Sequence, residues 1–91
     1  MSDRLHAIVE GYVQGVGFRQ TTLYRARRLG LTGWVRNRAD GSVEAVAEGL
    51  RDDLEVFLNY LYTGPQEAEV AHVRAEWLAA TGEFPDFRIH F

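Results

Sequence analysis

Apolar and polar residues alternate from Leu5 to Val13. Leu5, Ala7, Val9 and Val13 fall on one side, and His6, Ile8, Glu10 and Tyr12 on the other. A period of two predicts a strand with one face in the core. The period then lengthens. Phe18, Thr22, Ala26 and Leu29 recur at helical spacing with Leu23 beside them, and Gly30 follows as a C-cap. The spacing predicts a helix from Arg19 to Leu29. Leu31 to Arg38, carrying Trp34, predicts a second strand, and Asp40-Gly41 marks a tight turn. Val43 to Glu48 alternates again, so residues 32–48 form a hairpin. Leu50, Leu54, Phe57, Leu58 and Leu61 make the stripe of a second helix from Arg51 to Tyr62. Asp52 and Asp53 sit in its first turn, where the helix dipole favours acids, and Gly64-Pro65 ends it. Val70 to Ala80 predicts a fourth strand with Val73, Ala75 and Trp77 on one side. Thr81-Gly82-Glu83 turns the chain into a short closing strand, Phe87 to Phe91.

The order is β-α-β-β-α-β with a short C-terminal strand. The economical packing is an α+β, ferredoxin-like sandwich, with two helices on one face of a mainly antiparallel sheet. A right-handed crossover through the first helix, from the first strand to the third, fits that arrangement. The 91 residues suit one domain over 1–91.

Composition narrows the chemistry. There are no cysteines, which excludes disulfides and thiolate metal sites and makes a reducing, cytoplasmic setting the default. No apolar run approaches the length of a membrane span, and the first residues lack a signal-peptide pattern. All ten basic residues are arginine, so lysine bases, Schiff bases and the lysine of a nucleotide P-loop are excluded. The net charge is −3, yet from Arg19 to Ala39 there are six arginines and no acid. An acidic protein with one positive lobe suits a small anion better than a nucleic-acid backbone. For Arg25, Arg27 and Arg28 a solvated helix face explains the charge as well.

Between the first strand and the first helix lies Gly11-Tyr12-Val13-Gln14-Gly15-Val16-Gly17-Phe18-Arg19. The N–H groups of Gln14, Gly15, Val16, Gly17, Phe18 and Arg19 have neither a ladder nor an intrahelical partner there. Glycines at 15 and 17 let those groups converge without Cβ clashes, and the positive helix end adds to the field. Such a nest suits a phosphate or carboxylate, and Arg19 can add a bidentate fork. Val16 and Phe18 would anchor the loop to the core. A glycine-rich turn with no further role remains the alternative on these residues alone. A dinucleotide fingerprint is excluded, because the third glycine is missing.

Gly11 through Arg19 resembles the signature of the acylphosphatase family, glycine-x-valine-glutamine-glycine-valine-x-phenylalanine-arginine. Gly30-Leu31-Thr32-Gly33-Trp34-Val35-Arg36-Asn37, followed by Asp40-Gly41-Ser42-Val43-Glu44, resembles that family's second motif, and Thr81-Gly82-Glu83-Phe84 and Phe87-Arg88-Ile89 are also similar. The resemblance implies hydrolysis of the carboxyl-phosphate bond of acyl phosphates without metal or other cofactor. It implies that Arg19 binds the phosphoryl group with the loop amides and that Asn37 positions the attacking water. Gly17 fills a position that varies in the family. Inorganic phosphate is then product and inhibitor. The implied partner is a small-molecule acyl phosphate, with no nucleic acid, no membrane and a monomeric state.

The residues agree with that chemistry. Neither motif offers a catalytic base or nucleophile, but a carboxylate is a good leaving group, so positioning and charge stabilisation can carry the reaction. Two other classes compete. One is an anion- or carbamoyl phosphate-binding domain like those within hydrogenase-maturation carbamoyltransferases, which the chain's length argues against. The other is an RNA-recognition module, which would need aromatics where Val43 to Glu48 has none. His6, His72 and His90 lack a ligand pattern and read as structural or exposed. Asp52, Asp53 and Glu55 read as a helix N-terminus, and Trp34 and Trp77 as core or sheet-face residues. Arg36 and Arg38 flank Asn37 and point away from the face it uses, where they could broaden the positive field.

Overall fold

The structure, a computed structural model, describes residues 2–91; Met1, the first residue of the expected domain, lies outside the described residues. The elements are β1 (Asp3–Tyr12), α1 (Phe18–Arg28), β2 (Thr32–Asn37), β3 (Val43–Gly49), α2 (Arg51–Thr63), β4 (Glu69–Ala79) and β5 (Phe87–His90). Each expected element is present, with ends moved by no more than a residue or two. The five strands form one sheet in the order β4-β1-β3-β2-β5. Both helices pack on one face of it, as the ferredoxin-like α+β arrangement requires.

One topological expectation is corrected. Helix α1 leads from β1 to β2, not to the third strand. The third strand inserts between them because β3, returning through the tight hairpin, pairs with β2 on one side and β1 on the other. Both pairings are antiparallel, and β5 then joins the far edge of β2 in parallel. Strands β1, β2 and β5 therefore share one direction. Their carboxyl ends lie at one end of the sheet, the end at which the β1–α1 loop emerges. Open sheets with parallel strands place their ligands at such an end.

The core is the inward row of each strand against the helices. Leu5, Ala7 and Val9 of β1, Val43, Ala45 and Ala47 of β3, Val35 of β2 and Phe87 of β5 are buried with Phe18 and Ala26 of α1 and Leu54, Phe57 and Leu61 of α2. Phe57 lies at the centre, edge-on to Phe87 with ring centroids 6.0 Å apart. The inward row of β4 is only partly covered: Val73 is buried, Trp77 half-buried and Ala75 exposed. Strand β4 is an edge strand, and the helices do not reach across all of it. The Arg51 guanidinium covers Trp77 instead, 3.6 Å above its ring.

The opposite sheet face, among the described residues, carries no helix and is held by polar side-chain pairs. Glu44 on β3 takes His6 Nε2 at 2.6 Å from β1 and Arg36 Nη2 at 2.7 Å from β2. Trp34 and His90 stack beside them with centroids 5.3 Å apart. These contacts give His6, His90 and Trp34 the structural places expected of them.

Candidate active site

The β1–α1 loop turns because two glycines take backbone angles that side chains disfavour. Gly15 has φ 76° and Gly17 φ 79°, and Gly17 is the N-cap of α1. A residue with a Cβ would cost roughly 1–2 kcal/mol at either place. The cap has no side-chain hydrogen bond of its own. Its carbonyl instead accepts the backbone N–H and the hydroxyl of Thr21, both at 3.0 Å. From Gln14 to Gln20, no backbone N–H donates to a protein acceptor among the described residues. Phe18, 1% exposed, pins the loop below, with its ring 6.0 Å from that of Tyr60.

These donors open into a cavity of about 160 Å³ lined by Val13, Gly15, Gly17, Phe18, Arg19, Gln20, Asn37, Ile89 and Phe91. Arg19 stands on the first turn of α1. Among the described residues it has no hydrogen bond or ion pair, and its one ring contact is with Phe91, 5.3 Å from the guanidinium carbon. Asn37 enters from the carboxyl end of β2, where it is the partner of Val43. A small tetrahedral anion in this cavity would meet convergent amide donors, the positive end of a helix and an uncompensated guanidinium. Among the described residues, no three His, Asp or Glu side chains gather to hold a metal ion.

Of the residues singled out by sequence, Gly15, Gly17, Phe18, Arg19 and Asn37 share this cavity, although the two motifs lie far apart in the chain. Gln14 and Val16 do not line it. The part expected of both was through backbone N–H groups, and their side chains go elsewhere. Val16 is half-buried against the core, and Gln14 turns its amide toward the β2–β3 turn, donating to Arg38 O at 2.8 Å and Ser42 O at 2.9 Å. Val13, Gln20, Ile89 and Phe91 were not anticipated. The alternation of Phe87, Ile89 and Phe91 was visible, but only the parallel pairing of β5 with β2 brings those side chains beside Asn37.

The positive field is narrower than the arginine count suggests. Arg36 is neutralised by Glu44 on the other face of the sheet, and Arg38 lies 3.8 Å from Asp40. Arg25, Arg27 and Arg28 occupy the outer side of α1. There Arg25 lies over the Tyr60 ring, Arg27 donates to Phe87 O and Arg28 to the Tyr24 hydroxyl. Arg19 is the member of the cluster that faces the cavity without an acid beside it.

The acylphosphatase family model matches residues 5–89 of the chain. A curated acylphosphatase from Dehalococcoides mccartyi is 54% identical over 86 residues, covering 93% of this chain and 94% of that one. Another, from Pelotomaculum thermopropionicum, is 50% identical over 88 residues, covering 97% and 96%. The crystal structure of acylphosphatase from Bacillus subtilis superposes with a TM-score of 0.94 at 34% identity, covering 98% of this chain and 99% of that one. No helix among the described residues is long and apolar enough to cross a membrane.

Proposed function

The chain belongs to the acylphosphatase family, a family of hydrolases, and from that premise we propose that it cleaves the carboxyl-phosphate bond of acyl phosphates by in-line attack of water at phosphorus. The observation that carries this reading is the meeting of Arg19, Asn37 and the two loop glycines around one cavity, with Arg19 free of any acidic partner among the described residues. The phosphoryl group sits in the loop, held by the N–H groups of Gln14 to Arg19 and by the Arg19 fork. The Asn37 side-chain carbonyl accepts a hydrogen bond from the attacking water and aims its oxygen at phosphorus.

The new bond joins water oxygen to phosphorus as the phosphorus–oxygen bond to the acyl group breaks. The electron pair leaves on the carboxylate. The water proton passes to a phosphoryl oxygen of the substrate, so no side chain need ionise. Charge that builds on the equatorial oxygens meets preorganised donors, where removing one such donor typically costs about 10²–10³-fold in rate. The product phosphate fits the same donors and is expected to inhibit. We further read residues 1–91 as one domain acting as a monomer in a reducing cytoplasm, a reading supported by the family match over 5–89 and the cysteine-free composition.

The test is hydrolysis of benzoyl phosphate in the presence of a chelator. Turnover that resists chelation and is inhibited competitively by inorganic phosphate supports the reading. A folded sample without turnover would favour an anion-binding module instead.

A further inference from the structure

The Gln14 side chain has no place in the cavity, yet it is half-buried and both of its amide donors are used. Nε2 lies 2.8 Å from Arg38 O and 2.9 Å from Ser42 O. Two carbonyl acceptors fix the amide's orientation, because only the NH2 end can serve both. Among the described residues these are the only hydrogen bonds between the β1–α1 loop and the β2–β3 turn.

The turn is itself closed by internal hydrogen bonds. Arg38 N donates to Ser42 O at 2.8 Å and Gly41 N to Arg38 O at 3.2 Å, while Asp40 Oδ1 accepts both Ser42 N at 3.0 Å and Ser42 Oγ at 2.5 Å. Ser42 is buried. Arg38 directly follows Asn37, so the hook lands one residue from the side chain that the proposed mechanism uses to aim water.

We propose that Gln14 is a positioning residue that sets the distance and angle between the phosphate cradle and Asn37. The inference rests on the functional reading above. The cradle hangs from β1 and α1, whereas Asn37 hangs from β2. Between β1 and β2 lies β3, so the sheet alone relates the two halves only through an intervening strand. The amide of Gln14 closes that span directly. An in-line reaction needs both halves in register, and a shift of about 1 Å can cost 10²-fold in rate. Binding of a phosphate needs only the cradle.

Gln14→Met keeps the length and removes both donors, and Gln14→Glu at neutral pH places an acceptor against two carbonyls. Assayed with benzoyl phosphate, both variants are expected to lose at least about tenfold in kcat while the inhibition constant of inorganic phosphate stays within about threefold. Combined with Asn37→Ala, Gln14→Met is expected to add little further loss, because two residues acting through one step are not additive. Glu48→Gln, at the far end of the sheet, serves as the reference that loses stability without losing kcat. If Gln14→Met does not fold, Gln14→Asn keeps the donors on a shorter arm that cannot reach both carbonyls, and it carries the same expectation.

A kcat within twofold of wild type would overturn the inference. So would phosphate affinity falling in step with kcat, or full additivity with Asn37→Ala. Wild-type protein that turns over no benzoyl phosphate would instead overturn the functional reading on which the inference stands.

Discussion

Two arginines mark opposite ends of the sheet, and each has a phenylalanine ring close to its guanidinium. Arg4 lies 5.1 Å from Phe84 and Arg19 lies 5.3 Å from Phe91. There the likeness stops. Arg4 is paired by the fold, with Nε 2.7 Å from Glu48 and Nη2 2.6 Å from Glu83 and 2.7 Å from Thr81 Oγ1. Glu48, 4% exposed, also accepts the backbone N–H groups of Thr81 at 2.9 Å and Gly82 at 3.0 Å. Among the described residues Arg19 has no acid, and the N–H groups around it have no acceptor. A buried carboxylate whose donors are supplied by the fold is costly to remove, because its partners are left behind without it. A cluster of donors whose acceptor must come from solution is available for chemistry. The same residue type serves both ends, and its neighbours decide which.

The contrast predicts opposite phenotypes. Glu48→Ala would leave Arg4 Nε and two backbone donors without their acceptor and is expected to cost about 3 kcal/mol of stability, read as a shift in denaturant midpoint. Its kcat, measured where it remains folded, should stay near wild type. Arg19→Lys is the converse. It keeps the charge and loses the fork, so kcat/KM for benzoyl phosphate should fall by about 10²–10³-fold with weaker inhibition by phosphate. No hydrogen bond or ion pair among the described residues is lost, and the unfolding free energy should move by less than about 0.5 kcal/mol. A large loss of stability in Arg19→Lys, or of kcat in Glu48→Ala, would erase the distinction. Asn37→Ala sharpens it within the site: kcat should drop by about 10²-fold while phosphate affinity is largely kept.

Much of this division was legible in the sequence, unevenly. Periodicity placed both helices and three of the strands, because each carries its own inward row, and the turn signals at Asp40-Gly41 and Thr81-Gly82-Glu83 set off the other two. The glycines at 15 and 17 announced the loop, since no other residue takes positive φ so readily. The second motif pointed to Asn37 through resemblance rather than geometry. What stayed hidden depended on contacts between distant segments. Nothing local to Glu48 says that it will be buried under residues 81 and 82, because its partners lie across a sheet whose strand order is not written in any one strand. Ile89 and Phe91 were read as the end of a closing strand, and only the choice of edge for β5 brings them to the cavity. Gln14 was expected to act through its backbone N–H, and the contact of its side-chain amide with the β2–β3 turn was not foreseen. Arg36 looked like part of the positive lobe until Glu44, eight residues on across the hairpin, neutralised it.

A smaller effect separates the two ends by pH. Burial alone would raise the Glu48 carboxyl, but the Thr81 N–H, the Arg4 guanidinium and the Gly82 N–H outweigh it and hold the group below the ordinary glutamate range. Burial likewise raises Glu44, and bonds from His6 and Arg36 reverse the sign. A carboxyl with a lowered folded value contributes stability that is complete above its unfolded value of about 4.3 and is lost as the pH falls through the folded one. Unfolding followed by denaturant should therefore show stability level down to about pH 5 and declining below it. Glu48→Gln should flatten part of that decline. An unchanged acid limb would mean that the clamp is not where the acid sensitivity lies.

The smallest effect tests whether the loop's shape is separable from its chemistry. An added Cβ at Gly17 would meet nothing within 4 Å, so Gly17→Ala brings no clash. Its φ of 79° remains, and the alanine must either bear roughly 1–2 kcal/mol of strain or relax toward ordinary helical angles. Relaxation would rotate the N–H groups that precede α1 and begin to undo the nest. If the core anchorage of Phe18 holds the loop, the strain appears as lost stability with phosphate inhibition nearly unchanged. If the loop yields, stability is kept and phosphate binding weakens instead. Buried Phe18 and the Thr21 bonds to the Gly17 carbonyl favour the first outcome, a fall of about 1 kcal/mol in unfolding free energy with an inhibition constant within about threefold of wild type. The reverse pattern would show that the satisfied core beneath the site does not set the geometry of the unsatisfied donors above it.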